Sequence, residues 1–313
     1  MPADDQPGAS HQDRGGLAWA TTMLAREACR RVGLSADGLR PVRLHSNGVF
    51  RLPRQRVVVR VGSGADAGAR AGRAVAVARW LGELEYPTVL PTAILAQPVL
   101  LDDPAGGQVA VTFWREVEID ATPVSPAELG RLLRHLHGLP RPTWNLPLFR
   151  PLDRLVEQTR VSSWLDEGDR RWLADRAAEL QRALASSTFM LGPAAMAHGD
   201  AQLANALRVT GVGPVLADWD GVARAPREWD LVPTAVEKRF GGSPSLLTEL
   251  LDAYDVDPTG TDGWHVLRDI YELRSVAAHI RRAPVSPPHA GEAARRIASL
   301  RRGDRDARWY AVG

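Results

Sequence analysis

The chain has 313 residues, of which 44% are hydrophobic and 24% charged, so length and composition indicate a globular protein of two lobes or domains. The formal net charge is only +2, and the 38 arginines and single lysine are spread along the sequence, which argues against a nucleic-acid-binding surface. The single cysteine, Cys29, excludes an intrachain disulfide, and no apolar run reaches the length of a membrane span.

The N-terminal segment lacks the basic start and apolar stretch of a signal peptide. It is rich in Gly, Asp and Pro, and we expect residues 1–20 to be a disordered tail. The sequence therefore predicts a cytoplasmic protein, and a monomer is the plain expectation.

A helix is predicted near residues 21–33, and within it Cys29 is expected to be a packed thiol rather than a reactive one. The next part of the chain alternates strands with one helix. Strands are predicted at 42–52, 56–62, 88–96 and 108–114, with a helix at 69–84. These elements make a small mixed lobe.

After Trp114 the pattern becomes helical. Ser125 and Glu128 form a capping box at the start of a helix that Gly138 ends. Further helices are predicted at 169–187, 244–254, 263–282 and 290–302, and two short strands flank a turn within 205–218. The sequence therefore predicts an α+β chain with a β-rich N-lobe at 21–115, a mostly helical C-lobe at 116–313 and a cleft between them.

The segment MAHGDAQLANALRVTGVGPVLADWDG, residues 196–221, carries the chemistry. In it, His198-Gly199-Asp200 is followed by Asn205, and a predicted hairpin then leads to Asp218. Phosphoryl transfer needs an oriented hydroxyl and cations on the phosphates. A carboxylate such as Asp200 can accept the hydroxyl proton. An amide oxygen and a carboxylate, from Asn205 and Asp218, suit Mg²⁺.

Other interpretations of single motifs are weaker. The sequence His198-Gly199-Asp200 would also fit a tight turn with a helix-capping aspartate and a buried histidine. The glycines of residues 62–68 imitate a dinucleotide fingerprint, but the next predicted strand ends without the acid or arginine that the fingerprint needs. His135 and His137 lie two apart on a helix, so they do not face a common metal ion.

The sequence resembles the aminoglycoside phosphotransferase family, which has a bilobal protein-kinase-like fold. HGDAQLAN resembles its catalytic loop, LADWDG its metal-binding segment and EWDLV its next element. The resemblance implies that Asp200 is catalytic, that Asn205 and Asp218 bind Mg²⁺, and that His198 and Asp230 support the loop. Asp220 could assist the metal or bind the acceptor, and we assign it neither role.

The resemblance also implies how the N-lobe binds ATP. Ser46, Asn47 and Gly48 would form the loop over the phosphates, Arg60 would be the phosphate-binding cation, and adenine would bind near the backbone of Phe113 and Arg115. Protein kinases pair this cation with a glutamate on the following helix, but residues 67–82 contain no acid. This departure leaves the orientation of Arg60 open.

The function predicted from these residues is ATP-dependent transfer of the γ-phosphate to a hydroxyl of a small molecule. Gln202 stands where protein kinases have lysine, which favours the small-molecule branch. The missing helix glutamate favours an alternative, a catalytically inactive kinase-fold protein that binds nucleotide or a partner. Acids between Asp230 and Glu272, Asp269 among them, form a possible acidic wall for a cationic acceptor such as an aminoglycoside or amino sugar; a solvated helix face explains them equally well.

Overall fold

The computed structural model describes residues 11–44, 48–64, 66–94, 96–103 and 106–312. The helices, in chain order, are α1 His11–Arg31, α2 Ala67–Glu83, α3 Pro126–Gly138, α4 Asp153–Val161, α5 Glu167–Ser186, α6 Val232–Val236, α7 Ser245–Tyr254, α8 Asp262–Arg274, α9 Ala277–Arg282 and α10 Pro287–Arg301. The strands are β1 Arg40–Leu44, β2 Gly48–Leu52, β3 Val57–Ser63, β4 Val99–Asp102, β5 Gln108–Arg115, β6 Ala195–Ala197, β7 Ala206–Val209, β8 Gly213–Leu216 and β9 Ala223–Ala225. Among these helices, none is long and apolar enough to cross a bilayer.

The chain forms two compact units. The first comprises Met1–Val124 and Ala204–Val222, and the second comprises Ser125–Leu203 and Ala223–Gly313. The predicted domain boundaries at residues 20 and 115 stay a prediction. Helix α1 begins inside the predicted tail, and residues 1–10 of that tail lie outside the described residues.

The first unit is built on a five-stranded antiparallel sheet of order β1-β2-β3-β5-β4. Alternation along β3 sends Val57, Val59 and Val61 to the face that packs on α1, in a core that also contains Phe50 and Phe113. The intervening position Arg60 therefore faces the opposite side, where it lines a small cavity together with α2 residues. Because side chains alternate along β3, the Arg60 guanidinium points away from the main core.

Cys29 belongs to the core beneath this sheet. Its side chain is fully buried between α1 and the strands. Burial raises the pKa of the Cys29 thiol to about 11, so the thiolate is disfavoured. This is the packed thiol that the sequence predicts.

One predicted strand is wrong. In the segment 88–96, the described residues make isolated bridges only, at Thr88 and Pro91, and the fourth strand of the sheet is instead β4. Pro87, Pro91 and Pro98 explain the error, because proline cannot donate to a strand ladder. Thr88 has another use, since its Oγ1 donates to the Leu216 carbonyl at 2.8 Å.

The second unit is mostly helical. Its α3 begins with the predicted capping box, in which Ser125 and Glu128 exchange hydrogen bonds, and packs against α7. The predicted helix 263–282 is two helices, α8 and α9. The small sheet β6-β9 carries the chain into the predicted catalytic loop. The predicted α+β class, with a small sheet-based part and a mostly helical part, is confirmed.

A buried pair of histidines, His279 and His289, is expected to make this unit sensitive to acid. The Nδ1 atoms of His279 and His289 are 3.0 Å apart, and both side chains are buried. Burial, then the charges of Arg296, His289 and Arg282, lower the pKa of His279 to about 4. Burial first, then Arg282, Arg281 and Arg296, also lowers the pKa of His289. The folded protein therefore resists a proton that the unfolded chain accepts near pH 6.5.

We expect the free energy of unfolding to be highest above about pH 6.5 and to fall as the pH drops towards 4. Between pH 7 and pH 5, His279 is expected to account for a loss on the order of 1–2 kcal/mol in the free energy of unfolding. Urea unfolding of wild type and His279→Gln at both pH values measures it. Equal losses of stability in the two proteins would show that this pair is not the acid-sensitive element.

Candidate active site

The predicted catalytic loop follows β6, in the second unit. Gly199 has φ +84°, a left-handed conformation that glycine adopts without strain. The fully buried Asp230 carboxylate accepts the N–H groups of His198 at 2.7 Å and Gly199 at 2.8 Å. These two charge-assisted bonds fix the backbone just before Asp200.

A second layer of contacts holds Asp230 itself. Its Oδ2 lies 3.1 Å from Nε2 of the buried His137, whose Nδ1 lies 2.8 Å from the Tyr254 hydroxyl. Trp229 Nε1 donates to the Gly199 carbonyl at 3.1 Å. Sequence reasoning considered His137 only as a metal ligand and missed this role. Its place on the apolar face of α3 is the signal that could have indicated a buried partner.

His198 is fully buried, and its Nδ1 accepts the Asp200 N–H at 3.3 Å. The Asp200 side chain is half-buried, and its Oδ1 accepts the Gln202 amide at 2.8 Å. Gln202 also lies near the Tyr271 hydroxyl, where its effect taken alone lowers the pKa of that hydroxyl. Sequence reasoning singled out Gln202 only as a departure from protein kinases and missed Tyr271.

The Tyr271 hydroxyl lies close enough to the carboxylates of Asp200 and Glu237 to be affected by their charges. Burial raises the pKa of the Tyr271 hydroxyl, and the negative charges of Asp200 and Glu237 raise it further. The hydroxyl therefore stays protonated and can act as a donor. The Arg274 guanidinium lies 5.3 Å from the Tyr271 ring and 5.2 Å from the Trp229 ring.

The predicted metal-binding segment lies in the first unit. The hairpin β7-β8 returns the chain so that the Ala217 N–H donates to the Asn205 carbonyl at 2.9 Å. Asp218 follows with φ +69°, an uncommon conformation for a residue with a Cβ. The buried Trp219 anchors this turn, since its Nε1 donates to Thr88 Oγ1 at 2.8 Å. Asn205 and Asp218 are thus neighbours across the end of the hairpin.

Arg60 binds both aspartates of this turn. Its Nη2 lies 2.9 Å from Asp218 Oδ1 and 2.9 Å from Asp220 Oδ2, and its Nη1 lies 3.0 Å from Asp220 Oδ1. Burial raises the pKa of the Asp220 carboxyl; Arg60 opposes this, and Asp218 adds to it. Arg60 therefore has two acidic partners, although neither comes from α2, and the main reason for the inactive alternative no longer holds.

The remaining predicted nucleotide-binding residues stay a prediction, and the structure describes the surroundings of three of them, Gly48, Phe113 and Arg115. Ser46 and Asn47 lie outside the described residues. Gly48 begins β2, where a Cβ would stand 2.5 Å from Thr21 Cγ2, so close packing also requires glycine there. Phe113 and Arg115 lie within β5, and their N–H groups donate to Gln97 Oε1 at 2.8 Å and to the Leu90 carbonyl at 2.9 Å. The N–H groups of both residues thus have partners within the protein.

Two residues of the acidic wall that the sequence suggested for a cationic acceptor, Asp269 and Glu272, are paired with arginines. Asp269 pairs with Arg176 at 2.8 Å and with Arg305 at 2.5 Å. Glu272 is fully buried and pairs with Arg239 at 2.6 Å. Because arginines neutralise both carboxylates, neither is available to a cationic acceptor.

Glu237 differs from these acids. It is half-buried at the start of a short 3-10 helix, and burial raises its pKa. Within the described part of the chain, no hydrogen bond or ion pair occupies its carboxylate. It is therefore the acid near Tyr271 that a ligand could use.

These features define a class: a phosphotransferase with the two-unit α+β fold of kinases. The chain belongs to the phosphotransferase enzyme family, whose profile matches residues 39–270. This confirms the family resemblance and the predicted phosphotransferase class. No curated protein sequence matches the chain.

Solved structures of low sequence identity share the fold. A choline/ethanolamine kinase family protein from Mesorhizobium loti is 20% identical, with 90% of this chain and 94% of that chain covered and a TM-score of 0.59. The amicoumacin kinase hAmiN, in complex with AMP-PNP, Ca²⁺ and Ami, is 10% identical. The match covers 96% of this chain and 98% of the hAmiN chain, with a TM-score of 0.67. A microcompartment-associated aminopropanol kinase is 18% identical. The match covers 89% of this chain and 94% of the aminopropanol kinase chain, with a TM-score of 0.65.

Proposed function

We propose that the protein transfers the γ-phosphate of ATP to the hydroxyl of a small molecule that also carries an amine. The observation that carries this proposal is the set of residues around Tyr271: the Asp200 carboxylate that would orient the hydroxyl, and the unpaired Glu237 carboxylate that would bind the ammonium group. We further propose that the enzyme acts as a cytoplasmic monomer, with neither nucleic acid nor membrane as a partner.

Asp200 is given the role of catalytic base. Its Oδ1 is held by Gln202, so the carboxylate is oriented before an acceptor binds. A pre-oriented carboxylate can align the acceptor oxygen with the phosphorus and accept the proton as the bond forms. His198 and Asp230 hold the backbone of this loop and do not touch the acceptor in this proposal.

The donors of the metal segment fit a hard divalent cation. Asn205 offers an amide oxygen, and Asp218 offers a carboxylate within reach of the same turn. Magnesium, when bound, would neutralise charge on the phosphates. In the part of the chain that the structure describes, there is no cluster of three acidic, histidine or cysteine ligands, so oxygens of the nucleotide would have to complete the coordination.

The nucleotide would be bound by residues of the first unit. Arg60, on β3, is the cation for the phosphates, and the segment from Ser46 to Gly48 is the proposed phosphate loop. For adenine we move the proposed contact from Phe113 and Arg115 to the backbone beyond β5. Val117 is the first position there whose N–H has no partner among the described residues, because the Glu116 N–H donates to the Arg56 carbonyl at 2.9 Å.

The amine part of the proposal rests on Glu237. Burial without a counter-ion disfavours its charged form, and an ammonium group placed beside it would remove that cost. The half-buried rings of Tyr271 and Phe149 can pack against the carbon skeleton of an acceptor, and both rest on the buried Trp229, whose ring centroid lies 5.4 Å from that of Tyr271 and 4.6 Å from that of Phe149. The similar structures include kinases named for ethanolamine and aminopropanol, which are amino alcohols.

The test is ADP release from Mg-ATP with amino alcohols, aminoglycosides and neutral alcohols as acceptors. We expect turnover with amine-bearing acceptors and a KM about tenfold higher in Glu237→Gln, with a smaller change in kcat. Glu249→Gln, at an exposed position of α7, is the matched control and should keep the wild-type KM. Turnover confined to neutral alcohols, or an unchanged KM in Glu237→Gln, would contradict the proposed acceptor class.

A further inference from the structure

The contact between Arg60 and the metal-segment aspartates suggests more than phosphate binding. The Arg60 side chain is 15% exposed, and the carboxylates of Asp218 and Asp220 are 31% and 33% exposed, so bulk water screens this ion-pair cluster only partly. One guanidinium bonds two carboxylates through both of its terminal nitrogens. Such bidentate, charge-assisted bonding is strong and fixes the geometry of both partners.

Helix α2 explains why Arg60 takes its partners from this turn. None of the α2 residues that line the cavity beside Arg60 and Asp220 is an acid; they are Ala67, Arg70, Ala71 and Ala74. The acid of α2 is Glu83, in its last turn. The aspartates of the metal segment are therefore the acids that hold Arg60 in position.

These aspartates would then have two competing cations. A divalent ion bound by Asp218 and a guanidinium bonded to the same carboxylate would lie a few ångströms apart, where like charges repel strongly in a partly buried site. The ion can displace Arg60 at little cost only if the guanidinium gains another anionic partner. The phosphates of a bound nucleotide are such a partner.

Resting on the proposed function, we infer that Arg60 is the internal counter-ion of Asp218 and Asp220 and competes with free divalent ions for them. In the absence of nucleotide, Arg60 keeps the metal affinity low. When nucleotide binds, Arg60 transfers to its phosphates and the two carboxylates become available. Metal and nucleotide therefore bind together.

The experiment is a Mn²⁺ titration of the protein without nucleotide or acceptor, followed by calorimetry and by the paramagnetic signal of free Mn²⁺. We expect Arg60→Met to bind Mn²⁺ about tenfold or more tightly than wild type. Arg70→Met is the matched control, because Arg70 also acts on Asp220 through its charge but bonds the Ser63 carbonyl instead. It should change the affinity by about threefold at most.

The outcomes separate the competing explanations. An Arg60→Met affinity equal to or below wild type would overturn the inference, as would an equal rise in Arg70→Met, which would mean a general charge effect. The rise should vanish in Arg60→Met/Asp218→Asn; if it persists, the ion binds elsewhere and the inference fails. Arg60→Gln serves should Arg60→Met not fold. Since the titration contains no nucleotide or acceptor, its result is independent of whether the acceptor assay succeeds.

Discussion

Replacement of Asp200 by alanine is expected to lower kcat by about three orders of magnitude while leaving the affinity for Mg-ATP nearly unchanged. The carboxylate is half-buried and held by Gln202, so its removal takes away both the proton acceptor and the group that aligns the acceptor hydroxyl. The proposed nucleotide and metal residues lie in the other unit of the chain and keep their contacts. Steady-state ADP release and calorimetry with a non-hydrolysable ATP analogue measure the two effects separately.

Asp200→Asn is the sharper variant, because it keeps the shape of the side chain and an oxygen that can accept the Gln202 amide. It should be nearly as inactive as Asp200→Ala if the carboxylate acts as a base. A near-wild-type kcat in either variant would remove Asp200 from the chemistry. An equal loss of nucleotide affinity would instead mean that the variant had disturbed the fold.

The sequence was sufficient to predict the parts of the site that are local in the chain. The order His198, Asp200, Asn205 and Asp218, with a hairpin before the last, predicts which chemistry the segment can perform. The structure shows the hairpin and places Asn205 beside the residue before Asp218. These relations depend on hydrogen bonds across one turn, so a short stretch of sequence contains them.

Long-range partners were not predictable in this way. Arg60 and Asp220 are 160 residues apart, and nothing in either local sequence indicates that β3 and the turn after β8 meet. Likewise, nothing in the sequence distinguishes Glu237 from Glu272, yet one carboxylate is unpaired among the described residues and the other is bonded by Arg239. Which acid is available depends on which arginine the fold brings to it.

The error at 88–96 has a different origin. Its apolar residues suggested a strand, but the two bridge residues described there, Thr88 and Pro91, make isolated bridges rather than a ladder. Thr88 accepts the Trp219 indole and donates to Leu216, so it supports the metal-segment turn. Thr88 thus helps to hold a distant element in place, and the apolar pattern of the local sequence does not indicate such a role.

Asp230→Ala is expected to destabilise the protein by about 3 kcal/mol or more. The substitution removes the acceptor for two backbone N–H groups, those of His198 and Gly199, at a position that is fully buried. It also leaves His137 Nε2 without its partner. Each buried group left unbonded costs about 1–3 kcal/mol, and a cavity adds to that. Urea unfolding monitored by tryptophan fluorescence measures the loss.

Asp252→Ala, an exposed acid on α7, is the control and should change the free energy of unfolding by less than about 0.5 kcal/mol. His137→Ala should cost less than Asp230→Ala, because Asp230 would still accept both backbone N–H groups. In the double variant the two losses should not add, since both disrupt one bonded network. A loss below about 1 kcal/mol for Asp230→Ala would mean that the loop holds its conformation without this carboxylate, and Gly199 would then be the residue that fixes it.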